Sequence, residues 1–239
     1  RRRTAVFFTF LFPALIILIF GLVVQTNPGG GGLFTEPPGW YVPGYLAVVV
    51  LFTPLSRVGS EVARHREGAR FEKLATTPLT RAEWLAGQTL VNVGVIGAAA
   101  ALLVALVVLV TGATVRLSPL LVPFVALAVA LFCGLGAVLG RLADSQDGVI
   151  AASNGIALPL LFLSETFVPA SMLPGWLPLW LSPLTYFARG VRAVTFAPSG
   201  TVATFRGPAA LGPAENLAVL AALAVAFFAA GAAAIPRTD

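Results

Sequence analysis

The sequence predicts an all-α polytopic membrane protein: six transmembrane helices, a cytoplasmic amphipathic helix between spans two and three, and an extracytoplasmic re-entrant hairpin of broken helices between spans five and six. Three observations predict it. Hydrophobic residues occupy 58% of the 239 positions and charged residues only 10%, too few to clothe a soluble globule of this size. Apolar windows of roughly 20 residues, the length that crosses a hydrocarbon layer of about 30 Å, recur along the whole chain. Basic residues are confined to connections and ends and divide unevenly between two sides.

The first span runs from Ala5 to Val24. Arg1, Arg2 and Arg3 ahead of an apolar run are also the pattern of a signal peptide or a twin-arginine signal. The run is 20 residues long, however, and no small-x-small cleavage site follows it, so it reads as an anchor. Because the chain begins at Arg1 and not at methionine, residues upstream are expected. The second span, about Trp40 to Ser56, has Pro43 and Gly44 near its start and Pro54 near its end. Thr89 to Thr111, Leu117 to Leu139, Val149 to Val168 and Leu217 to Ile235 complete the set. These segments are too long and too uniformly apolar for the alternating strands of an outer-membrane barrel. One membrane domain accounts for residues 1–239.

The connections differ in kind. Gln25 to Gly39 holds Asn27-Pro28, four consecutive glycines and Pro37-Pro38, the composition of a flexible outside loop. Arg57 to Gln88 is the longest charged segment. Within it, Arg64 to Leu74 has charges at helical spacing with Phe71 and Leu74 on one side, predicting a short amphipathic helix over about 64–75 that Pro78 ends. Thr80-Arg81-Ala82-Glu83 is a capping box flanked by Leu79 and Trp84 as a hydrophobic staple, so a fresh helix starts there and runs into the third span. A surface helix joined stiffly to a span can serve as a lever; it can equally be the solvated helix that any charged loop tends to form.

Outside, Pro169 to Phe187 is apolar yet carries prolines at 169, 174, 178 and 183, which disfavour one continuous helix. Short broken helices dipping into the outer leaflet are expected, with Trp176, Trp180 and Tyr186 at the headgroup boundary. Ser182-Pro183 reads as an N-cap and first helical residue, opening a helix with Arg189 and Arg192 on one face.

With the N-terminus inside, the cytoplasmic set is Arg1, Arg2, Arg3, Arg57, Arg64, Arg66, Arg70, Lys73, Arg81, Arg141 and Arg237; the outer set is Arg116, Arg189, Arg192 and Arg206. The positive-inside rule therefore places both termini in the cytoplasm. The excess of positive charge speaks for topology and lipid contact rather than nucleic acid, because it forms no continuous stripe interleaved with aromatics.

Polar residues at membrane depth mark pathways. Glu165, Ser164, Ser153, Asn154 and Tyr186 are the candidates for a gate or translocation path. Glu165 faces that route, or snorkels to the outer interface, or pairs with Arg189 or Arg192; Asn154 suits interhelical hydrogen bonding. Gly136 and Gly140 form a small-x-x-x-small face for close helix packing. His65 reads as a solvated residue of the charged inside segment. Ser153 and Ser164 have no histidine or lysine at their depth to activate them, so no catalytic pair assembles. Cys133 is alone, which excludes an internal disulfide and a cysteine metal cluster, and no metal-ligand spacing appears. No span repeats the polar residues that ring a channel.

The run Arg66-Glu67-Gly68-Ala69-Arg70-Phe71-Glu72-Lys73-Leu74-Ala75-Thr76-Thr77-Pro78-Leu79-Thr80 resembles the signature R-E-x-G-T-x-E-x-L-x-x-x-P-[LM]-[ST] that precedes the third span of type-2 ABC transporter permeases, the membrane subunits of multidrug, daunorubicin-resistance and polysaccharide or lipid exporters. Pro159 to Ser164, Phe167-Val168-Pro169, Leu173 to Leu177 and Ser182 to Tyr186 with Arg192 are similar to the fifth span and outer hairpin of that family. The chain departs from the pattern at Glu165-Thr166, where a glycine and a small residue are usual, and at Arg189, where an acidic residue is common.

The resemblance implies a coupling helix that docks in a groove on a separate ATP-hydrolysing subunit, with Arg66, Glu67, Arg70, Phe71, Glu72 and Leu74 as the matching residues. It also implies a second permease, identical or related, and a prokaryotic inner-membrane location. No G-x-x-x-x-G-K-[ST] loop occurs here, so this chain is expected to bind no cofactor and to be no enzyme, with ATP and Mg on the partner. The expected function is the permease half of an exporter for a drug, lipid or lipid-linked glycan; a transporter-like scaffold or passive channel is the alternative.

Overall fold

A computed structural model describes residues 11–19, 36–68, 70–169, 172–196 and 211–236. Helices α1 (Phe12–Leu18), α2 (Val42–Glu67), α3 (Arg70–Ala75), α4 (Arg81–Thr111), α5 (Leu121–Leu142), α6 (Gln146–Phe162), α7 (Pro183–Thr195) and α8 (Pro213–Ala234) make up the fold, with short 3-10 turns at Pro38–Tyr41 and Leu179–Leu181 and no strand among the described residues.

Four stretches are long and apolar enough to cross a membrane, by length and composition: Pro38–Glu67, Arg81–Thr111, Leu121–Leu142 and Pro213–Ala234. They correspond to the second, third, fourth and sixth expected spans. Helix α6 has 17 residues and a length of about 25 Å, short of a full crossing. The first expected span and the glycine-rich loop after it fall largely outside the described residues; α1 is the described part.

Several boundaries differ from those expected. Helix α2 does not stop at Ser56: it passes through Pro54 and continues to Glu67. Proline removes one backbone donor, but Pro54 is buried among packed neighbours that hold the helix on either side of it. Residues 64–67 therefore belong to α2. At Gly68 the helix closes with its N–H on the Arg64 carbonyl (3.2 Å), and α3 is a separate helix of 6 residues rather than the continuation of one amphipathic helix over 64–75. Helix α6 ends at Phe162, well before Val168, because Ser164 and Thr166 turn their hydroxyls back onto the Leu161 carbonyl and Glu165 takes a left-handed backbone, φ 57°.

Helix α2 is the most buried span, and α5 lies between it and α8. Glycines allow that approach. A Cβ on Gly136 would stand 2.6 Å from the Leu55 carbonyl oxygen, and one on Gly140 would strike the carbonyl of Gly59. Across the other face of α5, a Cβ on Gly231 would lie 2.5 Å from the Gly134 oxygen. The small-residue face expected from Gly136 and Gly140 is thus the α2–α5 seam. The exterior is apolar: Leu90, Leu102 and Leu109 of α4 and Val225 of α8 are exposed, as lipid-facing positions should be.

The bundle has two distinct ends. Helices α2, α5 and α8 finish, and α4 and α6 begin, at the end that carries α3. Helix α7 closes the opposite end beside the start of α2, where the Arg116 amide donates to the Thr195 carbonyl (2.8 Å).

Candidate functional site

Two polar assemblies stand at the two ends. The first is the segment between α2 and α4. Thr80 accepts from the Glu83 amide (3.2 Å) and the Glu83 carboxylate accepts from the Thr80 amide (2.7 Å), the reciprocal capping expected from the sequence. This satisfies two donors that the first turn of α4 would otherwise leave open. Leu79 is 44% exposed, however, and Trp84 turns instead to Phe71, with ring centroids 5.6 Å apart, and to His65 at 5.5 Å. His65 also stacks on Phe71 (5.4 Å) and places Nδ1 2.8 Å from the Glu61 carbonyl oxygen. The histidine expected to be solvated is a half-buried packing piece that joins the end of α2, α3 and the start of α4.

The residues assigned to coupling by resemblance therefore divide. Phe71 is only 3% exposed and forms the inner side of this joint. Glu67, Arg70 and Glu72 are exposed. Leu74 lies on α3, with its side chain outside the described part. Arg66 turns away from α3: its guanidinium donates to the carbonyls of Arg141 (2.7 Å) and Ala143 (2.5 Å) at the end of α5.

The second assembly lies at the opposite end. Glu165, 1% exposed, accepts two hydrogen bonds from Arg189, from Nη2 at 2.5 Å and Nε at 3.1 Å. Arg192, one turn further along α7, donates to the Glu165 carbonyl (2.6 Å) and to the Trp40 carbonyl (3.3 Å), and its guanidinium carbon lies 3.7 Å from the centroid of the Trp40 ring. Helix α7 begins at Pro183 as expected, although the Ser182 hydroxyl finds no partner; the Ser182 carbonyl accepts from the Thr185 amide instead. The i, i+3 spacing of Arg189 and Arg192 brings both guanidinium groups to one turn, the one after α6. Of the three fates open to Glu165, the structure shows pairing.

The other path candidates are not all brought together. Ser164 is buried beside Glu165 and bonds the Leu161 carbonyl (3.0 Å), and Tyr186 donates to the Trp180 carbonyl (2.8 Å) at the same end. Ser153 is buried within α6 with its hydroxyl unpartnered, whereas its neighbour Asn154 is exposed and on another face. Arg192, an expected alternative partner for Glu165, and Trp40, expected only as the start of the second span, complete the assembly. Nothing in sequence spacing links Trp40 to Arg192, since 152 positions separate them. Among the described residues no group of His, Cys, Asp and Glu is placed to hold a metal ion.

A family model described as "ABC-2 type transporter" matches residues 1–196. No curated protein matches the chain.

Proposed function

Since the chain belongs to the ABC-2 type transporter family and is a multi-pass membrane permease component, we propose that it is the permease half of an ATP-driven exporter. It works with a second permease, identical or related, and with separate subunits that bind ATP and Mg. The path at the permease interface carries an amphipathic drug, lipid or lipid-linked glycan. The membrane is the prokaryotic inner membrane, with both termini and the α3 end in the cytoplasm, as the division of basic residues supports.

The observation that carries this reading is the joint at α3. Exposed Glu67, Arg70 and Glu72 stand on a base of His65, Phe71 and Trp84 that connects α2 to α4. A push on the charged surface moves two spans, because the aromatic contacts and the Thr80–Glu83 cap leave little slack between them. Ser153, Ser164, Glu165 and Tyr186 line or gate the path in this scheme, with Glu165 held in its ion pair until the bundle switches its packing.

The test is capture and turnover. The permease is purified with the ATPase subunit encoded beside it, and Arg70→Glu with Glu72→Lys reverses the exposed charges without disturbing Phe71. Capture of the ATPase falls about tenfold or more, as like charges oppose across the docking surface. Undiminished capture together with undiminished ATP-dependent transport would defeat the coupling role. ATP hydrolysis that no candidate cargo stimulates would favour a scaffold or channel.

A further inference from the structure

We propose that Arg66 and Arg81 are transmission clamps that tie the ends of α2 and α4 on either side of α3 to the ends of α5 and α8; they are positioning residues, and the idea of force passing through them rests on the coupling role proposed above. The contacts are specific. Arg66, the penultimate residue of α2, donates through Nη1 to the Arg141 carbonyl (2.7 Å) and through Nη2 to the Ala143 carbonyl (2.5 Å). Arg81, the first residue of α4, donates through Nη1 to the Ile235 carbonyl (2.6 Å) and the Ala233 carbonyl (3.2 Å). The two arginines thus flank the charged segment, one on each side, and each seizes the last carbonyls of a different helix.

Chemistry explains the choice of site. The final carbonyls of a helix have no intrahelical partner and carry the negative end of its dipole. The guanidinium fork of Arg66 occupies two of them with two nitrogens, a geometry a lysine ammonium lacks, while Arg81 shares one nitrogen between two carbonyls. Helix α5 ends at Leu142 with Ala143 as its cap, and α8 ends at Ala234 with Ile235 as its cap. Glycine or another short local cap would have satisfied these carbonyls without any link to α2 or α4. Using side chains that are 75 and 154 positions distant joins separate helices instead.

The consequence is mechanical. Covalent connection alone would deliver a displacement of residues 68–80 to α2 and α4. The two clamps extend it to α5, which packs on α2, and to α8, which packs on the other face of α5, each through a glycine seam. The α3 segment then moves four long helices together.

The test uses the full chain in lipid nanodiscs, alone and with its ATPase. Spin labels on Glu72→Cys of α3 and Asp144→Cys of the α5–α6 turn, both exposed positions, report the separation of the two elements; Cys133 is buried and takes no label. In the chain alone, Arg66→Gln broadens the distance distribution about twofold or more, because two charge-assisted bonds are lost and the segment opens locally. Arg66→Lys, reaching one carbonyl at a time, recovers part of the width. A distribution that Arg66→Gln leaves unchanged in the chain alone overturns the clamp, whether or not any ATPase binds. With the ATPase and a non-hydrolysable nucleotide, the pair keeps its distance while Arg66 is present and separates in Arg66→Gln; a pair that stays together without Arg66 also overturns it. Failure of the starting chain to capture the ATPase counts against the permease reading, and the first arm still decides the clamp.

Discussion

The Glu165 carboxylate and the Arg189 guanidinium meet in a two-pronged ion pair, 2.5 Å and 3.1 Å, inside a turn whose backbone stands in the left-handed region at Glu165, φ 57°. A glycine would adopt that conformation without strain. Glutamate at this position sets a charge on a backbone shape that glycine adopts freely. The arginine on α7 answers that charge.

The Glu165→Ala and Glu165→Gly variants separate the two effects. Either one removes the Glu165 carboxylate from the buried Arg189 guanidinium, a loss of about 3–5 kcal/mol. Glycine relaxes the left-handed backbone and alanine does not, so Glu165→Gly retains about 1 kcal/mol more stability than Glu165→Ala. Unfolding in a fixed detergent measures both. Equal stability of the two would show that the backbone stores no strain, and wild-type stability in either would show that the ion pair contributes nothing.

Phe71 is a structural member of the cytoplasmic joint before it is anything else, because its ring meets both His65 and Trp84. Phe71→Ala removes the centre of that cluster and costs about 3 kcal/mol locally. Trypsin then cuts at Arg70 or Lys73 many times faster, while the unfolding temperature of the whole bundle changes little. Cleavage at the wild-type rate would place Phe71 outside the joint.

Gly140→Ala sets a methyl group against the Gly59 carbonyl on α2, whereas at Gly97 of α4 nothing lies within 4 Å of an added Cβ. The first substitution destabilises the bundle by about 1–3 kcal/mol through overpacking. Gly97→Ala is neutral or stabilises by up to about 1 kcal/mol through helix propensity. Thermal denaturation of the pair decides the point, and similar shifts in both would mean that α2 and α5 do not touch at this seam.

Thr80→Ala removes the hydroxyl that receives the Glu83 amide and weakens the first turn of α4 by about 1 kcal/mol. Hydrogen exchange over residues 81–85 rises several-fold, and exchange in the middle of α4 stays as it was. An unchanged first turn would show that Glu83, through its own bond to the Thr80 amide, caps the helix unaided.

Signals written in neighbouring residues were readable without coordinates. The Thr80–Glu83 box, the start of α7 at Ser182-Pro183, the apolar runs that became α4, α5 and α8, and the tight face at Gly136 and Gly140 all depend on spacings of a few positions. Where a helix ends was less legible. Neither the passage of α2 through Pro54 nor the early stop of α6 at Phe162 follows from local composition, because packing around the proline and hydroxyl bonds to Leu161 outweigh propensity there.

What the sequence determined by itself is the membrane character of the chain, its family, and the charged capped segment between two spans, since hydrophobicity, charge bias and capping act over short stretches. Only the tertiary structure decided that Phe71 faces inward, that Glu165 belongs to Arg189, and that Arg192 lies over Trp40 while Arg66 grips the end of α5. The physical reason is one of range. An arginine in a sequence states only that a charge needs a partner, and the partner is chosen by which distant carbonyl, carboxylate or ring the packed helices bring within about 3 Å.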